Sequence, residues 1–328
     1  MNKNIFFLMF LTAVLFLLIG VNLTGFASRI ISGSQDTKVT LIRNSKGNYW
    51  QATGTNLQAA IDDLGSDGGT VWVGSDVTLD SSIRLNYSHV TLDFEGHKVT
   101  LNGNISFIEI LGGVWYSNVR NAEVDVGDGQ TAPVIYLELP PGGGYVERIE
   151  HCLFENIIIN NPGYEANGNY TGIHMNINVG EDSPDGKASF QGNVFRHFRM
   201  RFPDTVILLE SNDCDAYGSG NTFDDFFVWN FRNGVEFRID PGANNLGFSE
   251  TLFNNIKLQA AGRSKDAFKD ITGNGNHFDH CIVWDWYAVS DPNHEWSISD
   301  RADRTYICAG YIDDISDNGT NTNVVNPL

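Results

Sequence analysis

Apolar and polar residues alternate with period two through much of the chain, the mark of strands that turn one face inward. The pattern is plainest in Asn221–Asp240, NTFDDFFVWNFRNGVEFRID, which alternates, turns a corner and alternates again. With Phe223 as an anchor, four other segments align on Phe154, Phe195, Phe253 and Phe278. Three and five residues past the anchors stand Ile157/Ile159, Phe198/Met200, Phe226/Val228, Ile256/Leu258 and Cys281/Val283, all expected to face a core. The columns between them hold Ile158, Arg199, Phe227, Lys257, Ile282 and Asn160, Arg201, Trp229, Gln259, Trp284, the mixture expected of an outer face. A second short strand follows the repeat, most plainly at Gly172–Ile177, Thr205–Glu210 and Gly234–Asp240.

The anchors lie 41, 28, 30 and 25 residues apart, a spacing that suits coils sharing a cross-section and differing in their loops. That predicts an all-β solenoid of parallel strands. Successive coils of such a stack lie ~4.8 Å apart, so like residues sit over one another. Upstream, Lys38–Thr53 reads as a polar lead-in with a hairpin. Thr55-Asn56 then opens a short helix with Leu57, Ala60, Ile61 and Leu64 on one face and Gly65 at its end. A helix there would cap the open end of the stack. Gly68–Leu101 continues as short alternating strands between turn residues.

The first residues have a different character. Residues 5–20, IFFLMFLTAVLFLLIG, are almost wholly apolar, follow Lys3 and lead to Gly25-Phe26-Ala27, a small-x-small site suited to cleavage before Ser28. Extended to Phe26, the run is also long enough to serve as an uncleaved membrane anchor. Either way the rest is expected to be extracellular or on the cell surface. The expected organisation is a signal or anchor helix at 1–27, the lead-in at 28–53, the β-helix at 54–315 and a patternless tail at 316–328.

Charge narrows the partners. A net charge of −19 and a pI near 4.6 argue against nucleic acid, whose binding depends on clustered Lys and Arg. They also disfavour a polyanionic sugar unless a local basic patch overrides the net field. Of the four cysteines, Cys152 and Cys281 fall several coils apart and cannot pair, whereas Cys281 and Cys308 fall in neighbouring coils, either bridged or free. No Cys/His spacing of metal-site type is present.

Asn56-Leu57-Gln58-Ala59-Ala60-Ile61-Asp62 through Gly68-Gly69-Thr70-Val71, followed by Val90-Thr91-Leu92-Asp93, resembles the opening of the pectate-lyase-like superfamily. That superfamily of right-handed parallel β-helices includes phage tailspikes, polysaccharide lyases and polygalacturonase-type hydrolases. Where its members commonly continue with Pro-x-Gly-x-Tyr, this chain has Val73-Gly74-Ser75-Asp76-Val77, so the resemblance selects no subfamily. It implies a right-handed parallel β-helix and a polysaccharide or other glycan as partner. Family lyases use calcium-binding carboxylates with an Arg or Lys base, and family hydrolases use clustered aspartates with a downstream His and an Arg-x-Lys element. Neither set matches here position by position.

Three groups of residues are candidates for chemistry. Asp224-Asp225 suggests a carboxylate pair for glycoside hydrolysis. The column two past the anchors, however, reads Asn156, His197, Asp225, Asn255 and His280, the types that best tolerate left-handed backbone, so a corner is expected there. The outer column Arg201, Trp229, Gln259 and Trp284, with Trp286 beside it, offers flat platforms and donors for sugar rings. Cover by another part of the chain or by a neighbouring subunit of a homo-oligomer is the alternative. On the second strand, His174 and Asn176, then Glu210, then Glu236, Arg238 and Asp240 lie on one outward face. Glu236, Arg238 and Asp240 are the catalytic candidates and His174 a substrate contact, against the plainer reading of surface ion pairs. The acidic loops Asp125–Asp128 and Glu181–Gly186 are either Ca2+ sites or solvated turns. The expectation is an exported protein that binds an extracellular polysaccharide, with lyase or glycoside hydrolase activity. Its competitor is a non-enzymatic surface protein, an adhesin or a filament subunit.

Overall fold

The structure, a computed structural model, describes residues 41–127, 129–141, 148–161, 169–178, 188–212, 217–240, 247–286, 294–309 and 314–325. The signal or anchor segment lies outside the described residues. Among those described, strands fall into three sheets of fourteen, nine and five. All pairings are parallel except at the leading hairpin, where Leu41–Asn44 runs antiparallel to Tyr49–Gln51 and to Gly69–Val73. The chain is a parallel β-helix.

Register follows the anchors. Phe154 pairs with Phe195, Phe195 with Phe223, Phe223 with Phe253 and Phe253 with Phe278. Their rings form one column, with centroids 4.8, 4.9, 5.1 and 4.6 Å apart and planes within 7° of parallel. Phe198 and Phe226 stack the same way at 4.8 Å, and all these rings are buried. The inward columns are buried in every copy, apart from Val283, which packs half-buried against the core.

The corners follow from backbone geometry. Asn156, His197, Asp225, Asn255 and His280 all have φ between 51° and 59°, so the column that held the tempting Asp225 is a left-handed bend. Its side chains bridge coils, as where Asn255 Nδ2 donates to Asp225 Oδ1 at 2.9 Å, and in the outward column one residue earlier Asn254 Nδ2 donates to Asp224 Oδ1 at 2.7 Å. A second corner leads into the strands of the fourteen-stranded sheet that begin at Val194, Thr222 and His277. There Gly192, Gly220 and Gly275 take positive φ, and the next residue in each case is a buried asparagine. Asn193 Nδ2 donates to Ile149 O at 2.8 Å and to Asn221 Oδ1 at 3.0 Å, and Asn276 Nδ2 donates to Thr272 O at 2.7 Å. These amides satisfy carbonyls that the turn would otherwise bury without a partner.

One end is capped as expected. Helix α1, Gly54–Leu64, buries Leu57, Ala60, Ile61 and Leu64, takes its N-cap bond from Thr53 and ends at Gly65 with φ 56°. At the other end the segment read as a patternless tail adds two strands, Ile315–Asp317 and Asn323–Val325, which pair with His294–Asp303 and Tyr306–Ala309. Cys281 and Cys308 are both free: Cys281 points into the core, whereas Cys308 pairs with Asp279 on the outward side.

Two substitutions test this reading of columns and corners. Phe223→Ala should lower unfolding free energy by about 3–5 kcal/mol, the usual cost of emptying a buried aromatic site. Asn255→Gly should be nearly neutral, whereas Asn255→Val should cost about 1–2 kcal/mol because its branched side chain cannot take positive φ cheaply. Urea denaturation of the three variants would check both.

Candidate functional site

Two outward columns of the nine-stranded sheet bring polar side chains together across coils. One runs Tyr136, His174, Leu208, Glu236, Lys269, and the other Glu138, Asn176, Glu210, Arg238. Stacking brings them into contact. Glu210 Oε2 accepts from His174 Nε2 at 2.8 Å, and its Oε1 lies 3.7 Å from Arg238 Nη1. Arg238 Nη2 reaches Glu236 Oε1 at 3.2 Å, and Lys269 Nζ reaches the same oxygen at 3.1 Å. Asn176 Nδ2 donates to Tyr136 Oη at 3.2 Å. The hydrogen bond from His174 holds the Glu210 carboxyl below the ordinary carboxylate range, with the charges of His174 and Arg238 acting in the same direction against burial. Burial pushes the Tyr136 hydroxyl up to about 12.

Glu236 stands out because it is only 5% exposed although it lies on an outward column. Its Oε1 holds two cations, while Oε2 is buried without a hydrogen-bond partner. A pocket of about 260 Å³ opens beside it, lined by Glu236, Arg238, Asp270, Thr272, Ser299 and Arg301 among others. The Thr272 hydroxyl there is also buried without a partner. Along this pocket the strand Asp266–Asn274 slips register twice against His294–Asp303. A regular stack leaves no gap between neighbouring coils, and register irregularities of this kind recur beside active sites. Asp240, the third catalytic candidate, is exposed past the end of its strand, where its carbonyl accepts from Arg301 Nη1 at 2.9 Å. The catalytic candidates are therefore only partly brought together: Glu236 and Arg238 join His174 and Glu210.

The other candidates lie on a different sheet. Arg201, Trp229, Gln259 and Trp284 form the predicted column on the outer face of the fourteen-stranded sheet. Phe227, one column over, packs 4.3 Å from Trp229 and 5.5 Å from Trp284. The Arg201 guanidinium lies over Trp229 at 5.5 Å and that of Arg199 over Phe227 at 5.9 Å. Trp286 does not belong to this face. It is 7% exposed and part of the core, because Asp285 turns the chain through a left-handed corner at φ 61° and sends the next residue inward. Asn230 and buried Phe231 repeat that step two coils earlier, a signal the sequence does carry.

The acidic loops fall largely outside the described residues. Asp125 accepts from Lys98 Nζ at 2.8 Å, Asp128 and Glu181–Gly186 lie outside the described residues, and no cluster of metal-type ligands occurs among those described. The sequence pattern missed Lys269 and the pocket, since both depend on which coils are neighbours. Searched against protein-family models, the chain matches none, and no curated protein matches it either.

The Glu210–His174 contact has a consequence for stability. A carboxyl held below its unfolded value stabilises the fold above the ordinary carboxyl range near ~4.3, and that contribution is lost as pH falls through the lowered value. Glu210→Gln should therefore melt below the parent protein at pH 7, with the gap closing as the pH falls below the ordinary carboxyl range, read by thermal unfolding across pH.

Proposed function

We propose that the protein binds an extracellular polysaccharide and cleaves its glycosidic bonds on the outer face of the nine-stranded sheet. The observation that carries this reading is the Glu210–His174 pair at 2.8 Å, its carboxyl held below the ordinary carboxylate range, next to Arg238, which also lines the pocket. A carboxylate that accepts from an imidazole fixes the orientation of that ring, and the imidazole can then take a proton from water and return it to a leaving oxygen. Arg238, more than half exposed at its side chain, supplies positive charge next to the pair. Glu236 acts as a positioning residue: sealed beneath Arg238 and Lys269, it fixes both cations.

The same contacts favour hydrolysis over elimination. Elimination from an acidic sugar needs free positive charge to neutralise the substrate carboxylate, and here Arg238 and Lys269 are already committed to Glu210 and Glu236. The resemblance of the opening segment to polysaccharide-acting β-helices supports the substrate class, while fold alone assigns no activity.

Incubation with a broad glycan panel should release reducing ends without the ultraviolet absorbance of an unsaturated sugar product. Glu210→Gln and His174→Ala should each lower that rate by about 10²–10⁴-fold, the range for loss of acid–base assistance, while remaining folded. No release from any glycan, or full activity in both variants, would sink the proposal.

A further inference from the structure

We propose that the C-terminal end of the strand stack is an interface between two copies of this chain, joined end to end across a two-fold axis. The last strand of the fourteen-stranded sheet is Asn323–Val325 and the last of the nine-stranded sheet is Ile315–Asp317, and each pairs on one side only. Two inward columns end there. Val324 sits over Ile307, which sits over Phe278, so it terminates the phenylalanine column. Ile315 sits over Trp296, which stacks on Phe268 at 3.9 Å. Ile307 and Trp296 are fully buried, whereas Val324 is 41% exposed and Ile315 38%. The core that is closed one coil earlier is open at this end, and exposed apolar groups of this kind mark an interaction surface.

The backbone says what kind of partner fits. Asn323 N donates to Thr305 O at 2.9 Å, so by the alternation of a strand Val324 turns its amide and carbonyl to the open side. Trp296 N donates to Asp314 O at 3.1 Å, which in the same way leaves the amide and carbonyl of Ile315 facing out. Edges of this kind pair with another strand unless Lys, Pro or a bulge blunts them. Residues 315–325 contain neither Lys nor Pro. Their one charge, Asp317, is turned back on its own loop, where Oδ1 accepts from Gly319 N at 2.9 Å and from Thr322 Oγ1 at 3.2 Å. An occupant must therefore offer two strand edges and two apolar column ends at the spacing of this cross-section. The same end of a second copy offers both: the two-fold reverses its strands, so edges meet antiparallel and apolar ends meet apolar ends. Head-to-tail stacking is not open to the chain, because helix α1 and the antiparallel hairpin close the other end, so assembly stops at two.

The interface uses none of the residues assigned to cleavage, and its test needs no substrate. Two three-residue edges make a small contact, so the dimer should come apart on dilution. Sedimentation velocity of the full-length protein in a nonionic detergent, over an about hundredfold range of concentration, should show monomer giving way to dimer and nothing larger. Raising NaCl should tighten the dimer, because two chains of net charge −19 repel. Val324→Lys and Ile315→Lys should each weaken it at least about tenfold. Val324→Pro should do the same by removing the outward amide while leaving the bonds to Tyr306–Ala309 in place. Thermal midpoints at the lowest concentration should match the parent's in all three, since both side chains are already exposed in the single chain. Monomer throughout the range would leave this end to a segment of the chain outside residues 41–325 or to an unrelated strand, and would overturn the proposal. Open-ended growth, association that NaCl dissolves, or parent-like association of all three variants would overturn it equally.

Discussion

Beyond the leading hairpin, strands inside each sheet hydrogen-bond to the coil before and the coil after, so each residue must sit directly over its counterpart. Apolar residues accept this arrangement readily, and the five-ring phenylalanine column is the result. Charges do not, because like charges ~4.8 Å apart repel. The outward columns obey that limit. Arg199 lies between Ile158 and Phe227, Arg201 precedes Trp229, Glu210 lies between Asn176 and Arg238, and Glu236 between Leu208 and Lys269. Polar chemistry on this fold arises where a column changes type from one coil to the next.

Corners meet the same limit in another way. A left-handed residue in every coil would cost about 1–2 kcal/mol each for an ordinary side chain. At one corner the chain uses Asn, Asp and His, whose side chains bond across coils. At another it uses Gly followed by a buried Asn that ties the turn to the carbonyls of neighbouring coils. The two solutions have different outcomes at the surface. The first leaves carboxylates and imidazoles that resemble a catalytic site in sequence yet serve the bend, as Asp225 does.

The coil repeat, the inward columns, the cap helix and the first corner were legible because each is periodic or carries its own terminating residue. The five-stranded sheet was not, since strands such as Ser189–Gln191 and Tyr217–Ser219 are too short to show a period and lie in stretches that read as loops. The pocket was hidden for a different reason: it arises from two register slips between strands 28 residues apart at their starts, and pairing is not written in either strand alone. For the candidate site, the columns named His174, Glu210, Glu236 and Arg238 correctly as neighbours on one face. They could not tell that Glu236 is sealed or that Asp240 stands past the strand end, because exposure depends on what covers a column.

The sealed carboxylate is the strongest physical argument that the nine-stranded face does more than hold the fold. Removing a carboxylate from water is expensive, and two cations on one oxygen offset that cost only in part when the other oxygen has no partner. Leu208, the neighbour in the same column, is equally well buried and shows that an apolar side chain fits this position in the stack. A selection for stability alone would favour such a residue at Glu236 as well. What the carboxylate adds is a fixed position for Arg238 and Lys269, and through Arg238 a fixed field at Glu210 and His174. The fourteen-stranded face pairs cations with carboxylates as well, Arg199 with Asp225 and Arg196 with Glu155, but those two carboxylates are more exposed than Glu236, so their pairing needs no function to explain it.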